Sequence, residues 1–88
     1  DIDFSFANLR SAILQSISAA RVMFIDSDFS NADLSNADLS YAYFNFATLN
    51  DTMLTDANLL GAELSEAEMR GADLTGANLE GVIGYEGE

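Results

Sequence analysis

From Ser30 onward the chain divides into blocks of five, SNADL, SNADL, SYAYF, NFATL, NDTML, TDANL, LGAEL, SEAEM, RGADL and TGANL. Every block closes on a large apolar residue, with a small one, nearly always Ala, two positions before it. This period excludes both regular elements. On an α-helix each residue turns about 100°, so leucines five apart step about 140° and spiral around the surface without forming an apolar face. On a straight strand neighbours alternate sides, so an odd spacing sends successive leucines to opposite faces. A chain that runs extended for a few residues, turns and starts again satisfies the period. Each block then points its large residue and its Ala inward and the other residues outward. Units this short cannot bury an apolar face alone and must stack on their neighbours, so the period specifies a solenoid.

The in-phase positions are Phe4, Leu9, Leu14, Ala19, Phe24, Phe29, Leu34, Leu39, Phe44, Leu49, Leu54, Leu59, Leu64, Met69, Leu74 and Leu79, with no insertion among them. This run of A(D/N)LXX blocks resembles the pentapeptide-repeat family. The resemblance implies an all-β fold, a right-handed quadrilateral β-helix (a pentapeptide-repeat solenoid) with four blocks to a coil and so about four coils here. Residues twenty apart then stack. Phe4, Phe24, Phe44 and Leu64 form one core column, and Leu14, Leu34, Leu54 and Leu74 another. Leu9, Phe29, Leu49 and Met69 form the third, and Ala19, Leu39, Leu59 and Leu79 the fourth. Ala19 is small where its column is large, and Ile17 is large where Ala is usual, a size swap that keeps core volume roughly constant.

Three segments are expected. Residues 1–25 form an irregular first coil, with Ile2, Ile17 and Val22 at positions that later hold Ala. Residues 26–80 are the regular repeat, and 81–88 a C-terminal cap or tail, since Gly84 stands where the next large residue belongs. Ile83 and Tyr85 either fold over the last coil or meet a second chain, which would make a homodimer through a terminal coil. The chain begins at Asp1 without an initiator Met, as an excised or processed segment would.

The 88 residues carry a net charge of -12 and contain no Cys, His, Pro or Trp. Residues 1–25 are formally neutral, Asp1 and Asp3 offsetting Arg10 and Arg21. The excess acid lies from Asp26 onward, where Arg70 is the only base. Coils stacked at about 4.8 Å make that section roughly 15 Å long, or about one charge per 1.3 Å, against about one per 1.7 Å of duplex DNA. The quinolone-resistance type of the family resembles a DNA rod in size and charge and binds DNA gyrase. The resemblance therefore implies an alternative role as an acidic DNA mimic that binds and inhibits or protects a DNA-binding enzyme such as DNA gyrase. Acidic side chains spread over every face also keep a stacked β-surface soluble, and direct nucleic-acid binding is opposed by the charge.

Sorting the outward residues by face singles out one. Phe6, Met23, Ile25, Tyr43 and Phe46 gather on the face of the Phe4 column, toward which Ile83 and Tyr85 also point, beside Asp26, Glu63, Glu66 and Glu86. Tyr41, Ile13, Met53 and Leu60 are scattered elsewhere. An aromatic and Met cluster with an acidic rim has the composition of a protein-binding surface. Catalysis is not expected: with no His, Cys or Lys and no Gly-rich phosphate loop, no Ser has a base to activate it. No cofactor is implied. The run Asp26, Asp28, Asn31, Asp33 lacks the Gly and terminal Glu of a calcium loop, so no metal is expected either. No apolar run is long enough to span a bilayer. These residues describe a non-catalytic protein-interaction or scaffold module with an unidentified protein partner; a spacer or cap within a longer protein is the remaining alternative.

Overall fold

A computed structural model of the chain describes residues 2–85. Asp1 and residues 86–88, the end of the expected tail with Glu86 of the acidic rim, lie outside the described residues. Along each block the chain runs extended through the Ala, the next residue and the large residue, then turns. The middle residue of each extended stretch pairs in parallel with residues twenty away. Asp3, Met23, Tyr43, Glu63 and Ile83 are linked in this way on the first face, and Asn8, Asp28, Thr48 and Glu68 on the second. Ile13, Asp33, Met53 and Asp73 follow on the third, and Ser18, Asp38, Asn58 and Asn78 on the fourth. The fold is a right-handed, four-sided β-helix.

Hydrogen bonds between coils run both ways from each stretch. Leu34 N donates to Met53 O at 2.7 Å in the coil above, and Asp33 N to Ala12 O at 2.9 Å in the coil below. The corners satisfy the remaining donors. The Ala opening each block donates back to the carbonyl of the preceding large residue, 3.1 Å from Ala37 to Leu34. The second corner residue has φ between 57° and 75° at every corner from Phe6 to Gly81. A four-residue turn with only its third residue left-handed is type II.

The residue before the Leu explains the Asp and Asn of the repeat. Its side chain bends over the corner and accepts from the N–H two residues on, as Asp33 Oδ1 does from Ser35 N at 3.0 Å. The Ser35 hydroxyl donates to the same oxygen at 2.7 Å. Asp28 with Ser30, Asp38 with Ser40 and Asp73 with Thr75 repeat the arrangement, and Asn58 and Asn78 accept the backbone N–H without a hydroxyl, Asn58 Oδ1 also accepting from Asn78 Nδ2 at 3.3 Å. Such Asx turns are a local alternative to backbone pairing. The hydroxyl and then the backbone N–H hold the carboxyls of Asp28, Asp33, Asp38 and Asp73 below the ordinary aspartate value of 3.8.

Inside, Phe29, Leu34, Leu39, Phe44, Leu49, Leu54 and Leu59 are fully buried. Phe24 and Phe44 stack with ring centroids 5.2 Å apart, and Phe29 meets both edge-on at 5.0 and 5.6 Å. Ser27 and Thr52 take the inward place of Ala and donate to Phe4 O and Phe29 O, each at 2.8 Å, so neither hydroxyl is buried without a partner. Ala19 is buried, and Ile17 packs against the core.

The ends differ from the centre. Phe4, expected in the core, is 51% exposed: its ring stacks on Phe24 at 6.1 Å, but no coil among the described residues covers its other side. Leu14 and Leu74 are half-buried, whereas Leu34 and Leu54 between them are enclosed. At Gly84 (φ 86°) a Cβ would come within 2.6 Å of Ser65 Cα, so the large residue due there has no room and the period stops.

Two outcomes follow from this packing. Leu34→Ala should cost about 3 to 4 kcal/mol of unfolding free energy in urea, and Leu74→Ala less than half as much, because less surface leaves water there. Equal costs would contradict a core that thins toward its ends. Carboxyls whose folded pKa is depressed stabilise the fold fully above their unfolded value, and that contribution is lost as pH falls through the lower folded values. Between about pH 6 and about pH 2.5 the natural chain should therefore lose more stability than a variant with Asp28, Asp33, Asp38 and Asp73 all changed to Asn, whose amide oxygens still accept the corner N–H groups. A natural chain that instead gains stability in acid would show that relief of charge repulsion outweighs the turns.

Candidate protein-interaction face

The first face is assembled by the repeat itself. The outward residue of each extended stretch on this face is, in ascending order, Asp3, Met23, Tyr43, Glu63 and Ile83. The corner that follows carries Phe6, Asp26, Phe46 and Glu66 in its left-handed position, one per coil. The corner that precedes it carries Arg21, Tyr41, Gly61 and Gly81 in the same position.

Phe6, at 77%, and Phe46, at 59%, are among the most exposed large apolar residues of the chain. Tyr43 is exposed, while Met23 and Ile25 are half-buried between the columns. Ile83 is exposed and Tyr85 half-buried, packed against the core at the C-terminal end and so away from Phe6. The five residues expected to form the face thus stand on adjoining columns of the lower three coils, and the two terminal residues stand apart.

Backbone geometry separates this cluster from ordinary surface apolar residues. From Asp26 onward every left-handed corner position is Gly, Asn or Asp except Tyr41, Phe46 and Glu66. Gly tolerates that region freely and Asn and Asp reach it readily, whereas a bulky residue is strained there by about 1 kcal/mol or more. Phe46 adopts φ 63° and Phe6 φ 65°, and both rings stay largely in water. Neither strain is repaid by burial.

Tyr41 belongs to the same surface, although its face alone gave no sign of it. Its ring lies over Gly61, where an added Cβ would come within 2.6 Å of Cδ1, and the Arg21 guanidinium sits 5.2 Å from the ring centroid. Arg21, Met23, Tyr41 and Tyr43 line a shallow groove of about 420 Å³. The signal was present in the spacing: Tyr41 occupies the turn place of Phe46 one corner earlier and stands twenty residues after Arg21. A larger hollow of about 750 Å³ lies at the C-terminal end among Leu64, Met69, Arg70, Gly84 and Tyr85, where the chain leaves the coil, and gathers no comparable aromatic cluster.

The acids are of two kinds. Asp28, Asp33, Asp38 and Asp73 close corners, and their lowered pKa makes them poor proton donors near neutrality. Asp26 and Glu66, beside Phe46, accept no hydrogen bond among the described residues; Glu63 takes a long one, 3.4 Å, from Asn45. The only ion pair among the described residues, Arg10 with Asp28 at 3.1 Å, lies on the second face.

The pentapeptide repeat model matches residues 2–40 and 42–81 in eight copies. Among solved structures the chain is similar to Rfr23, a pentapeptide repeat protein of the cyanobacterium Cyanothece 51142, at 32% identity and a TM-score of 0.93 over 96% of this chain and 57% of that one. A pentapeptide repeat protein of Nostoc PCC 7120 is 39% identical with a TM-score of 0.84, over 85% of this chain and 62% of that one. HetL of Nostoc, a pentapeptide repeat protein involved in regulating heterocyst differentiation, is 25% identical with a TM-score of 0.61, over 98% of this chain and 52% of its own. This chain thus spans between 52% and 62% of the length of these structures. No curated protein sequence matches it. With the repeat model covering nearly all of residues 2–81, the chain belongs to the pentapeptide repeat family.

Proposed function

We propose that this chain is a non-catalytic interaction module whose β-helix presents Phe6, Met23, Ile25, Tyr43 and Phe46 to a protein partner. The observation that carries this reading is the placement of exposed aromatic rings at strained corners. Phe6 and Phe46 occupy backbone positions where Asn, Asp or Gly is better suited, and they bury little there. Strain of this kind persists where another requirement holds the residue, and binding is the requirement an exposed aromatic serves. Family membership supports a scaffold role, and a regulatory relative such as HetL is consistent with one.

The DNA-mimic alternative, directed at an enzyme such as DNA gyrase, draws on the net charge of -12. One feature weighs against it. Asp28, Asp33, Asp38 and Asp73 already have a structural use in the corners.

The test compares affinity capture from an extract of the source organism by three forms of the chain. Tyr43→Ser with Phe46→Ser should weaken recovery of the bound protein at least about tenfold, as loss of a central aromatic anchor does. Asp33→Asn, Asp38→Asn, Asp56→Asn and Asp73→Asn together should leave it nearly unchanged. The opposite pattern, with binding that collapses as salt rises, would favour mimicry; indifference to both sets would favour a spacer. In the same series Phe46→Asn should raise stability in urea by about 0.5 to 1 kcal/mol while lowering capture. A Phe46→Asn chain that is destabilised would mean the ring is held by packing, and the reason for assigning it to binding would be gone.

A further inference from the structure

The corner column Phe6, Asp26, Phe46, Glu66 alternates aromatic and carboxylate one coil apart, a spacing of about 4.8 Å. We propose that this column receives an arginine of a basic segment on the partner protein, its guanidinium flat on Phe46 and its N–H edges directed at Asp26 below and Glu66 above. The proposal rests on the interaction-module reading and specifies the chemistry of the partner.

Three observations lead to it. The first is an arrangement already made within the fold: on the preceding corner, in the same turn position, Arg21 stands one coil below Tyr41 and its guanidinium lies 5.2 Å from the ring centroid. A ring displayed from such a corner is therefore seen to take a guanidinium. On the Phe46 corner the neighbours in the stack are Asp26 and Glu66 instead, so ring and counter-charge are present and the cation is missing. The second is that these two carboxylates are uncommitted, accepting no hydrogen bond among the described residues, whereas the Asp residues of the Leu stretches close turns. The third is charge. A chain of net -12 whose only base after residue 25 is Arg70 attracts a basic segment and repels an acidic one.

Arginine fits better than lysine because a planar guanidinium stacks on a ring while its N–H donors, in its own plane parallel to the ring, point outward past the ring edge to carboxylates on both sides. An ammonium is a strongly hydrated point charge and cannot meet both demands in one orientation.

The isotope-labelled chain would be titrated with a blocked peptide of three Gly-Arg pairs, and separately with its Gly-Lys counterpart, following backbone amide shifts by NMR. Shifts should concentrate at residues 25–27, 45–47 and 65–67. Affinity should fall about two- to fivefold for the lysine peptide and for Phe46→Leu, the range of an exposed cation–π contact, and further for Asp26→Asn with Glu66→Gln. Phe46→Asn, which suits the left-handed corner, should also weaken binding and keeps the result independent of folding. Shifts spread evenly over Asp33, Asp38 and Asp73, or equal affinity for the two peptides, would falsify the proposal, since either describes unspecific attraction to an acidic surface. If the peptide misses the corner while partner capture still depends on Tyr43 and Phe46, the arginine is wrong and the interaction face stands. Capture that ignores Tyr43 and Phe46 removes the face itself, whatever the peptide does.

Discussion

One left-handed residue in every five is the constraint on which this molecule depends. A coil with four sides must turn through roughly a right angle at each corner, and a type II turn does so while its own hydrogen bond, such as Ala37 to Leu34, closes the loop. That turn leaves the N–H of its first corner residue without a backbone partner. The Asp or Asn before the Leu supplies one from its side chain, and a following Ser or Thr adds its hydroxyl to the same oxygen. The repeat is therefore less a hydrophobic pattern with polar filling than a corner specification to which a Leu is attached. Buried backbone donors go unpaired only rarely in native folds, and in the blocks that carry Asp or Asn there this side chain pairs the corner N–H.

The corner also decides where strain can be placed. Gly, Asn and Asp relieve it over most of the upper coils, and in Gly61 the missing Cβ also gives Tyr41 a surface to lie on. Tyr41, Phe46 and Phe6 do the reverse: they bring bulk to a backbone conformation that resists it and leave the ring in water or across a glycine. The stacked core of Phe24, Phe29 and Phe44 directly behind this face is the best-enclosed aromatic packing in the chain. Rigid support and strained display thus coincide on one side of the solenoid, which is what a preorganised binding surface needs.

Much of the architecture was legible because a period of five admits so few chain paths. The columns could be written from the spacing alone, and Phe24, Phe44, Leu34 and Leu54 are enclosed where the spacing puts them. Phe4 was misplaced for a physical reason: column membership says which way a side chain points, while burial also needs a coil on each side, and the first coil has only one among the described residues. Tyr41 was missed because sorting by face treats all outward positions as alike. Only the turn geometry distinguishes the left-handed corner place from its neighbours, and it joins Tyr41 to Arg21, Met23 and Tyr43. The acids were harder still. Asp33 and Asp26 look equivalent in a charge count, yet one is a turn acceptor and the other an uncommitted carboxylate.

That distinction changes what the net charge means. A surface rich in Asp invites comparison with a polyanion, but a carboxylate recruited to close a corner would be present whether or not any partner existed. Its low pKa reports the hydroxyl and N–H beside it rather than a target. Only acids without such a duty carry information about binding, and Asp26 and Glu66 flank an exposed ring. Among the acids left when the turn-closing ones are set aside, which also include Asp51 and Asp56 on other corners, Asp26 and Glu66 are the pair that brackets an exposed aromatic ring. Under the proposed arginine contact, specificity would come from the pairing of ring and carboxylate at coil spacing, which a uniformly acidic rod does not possess.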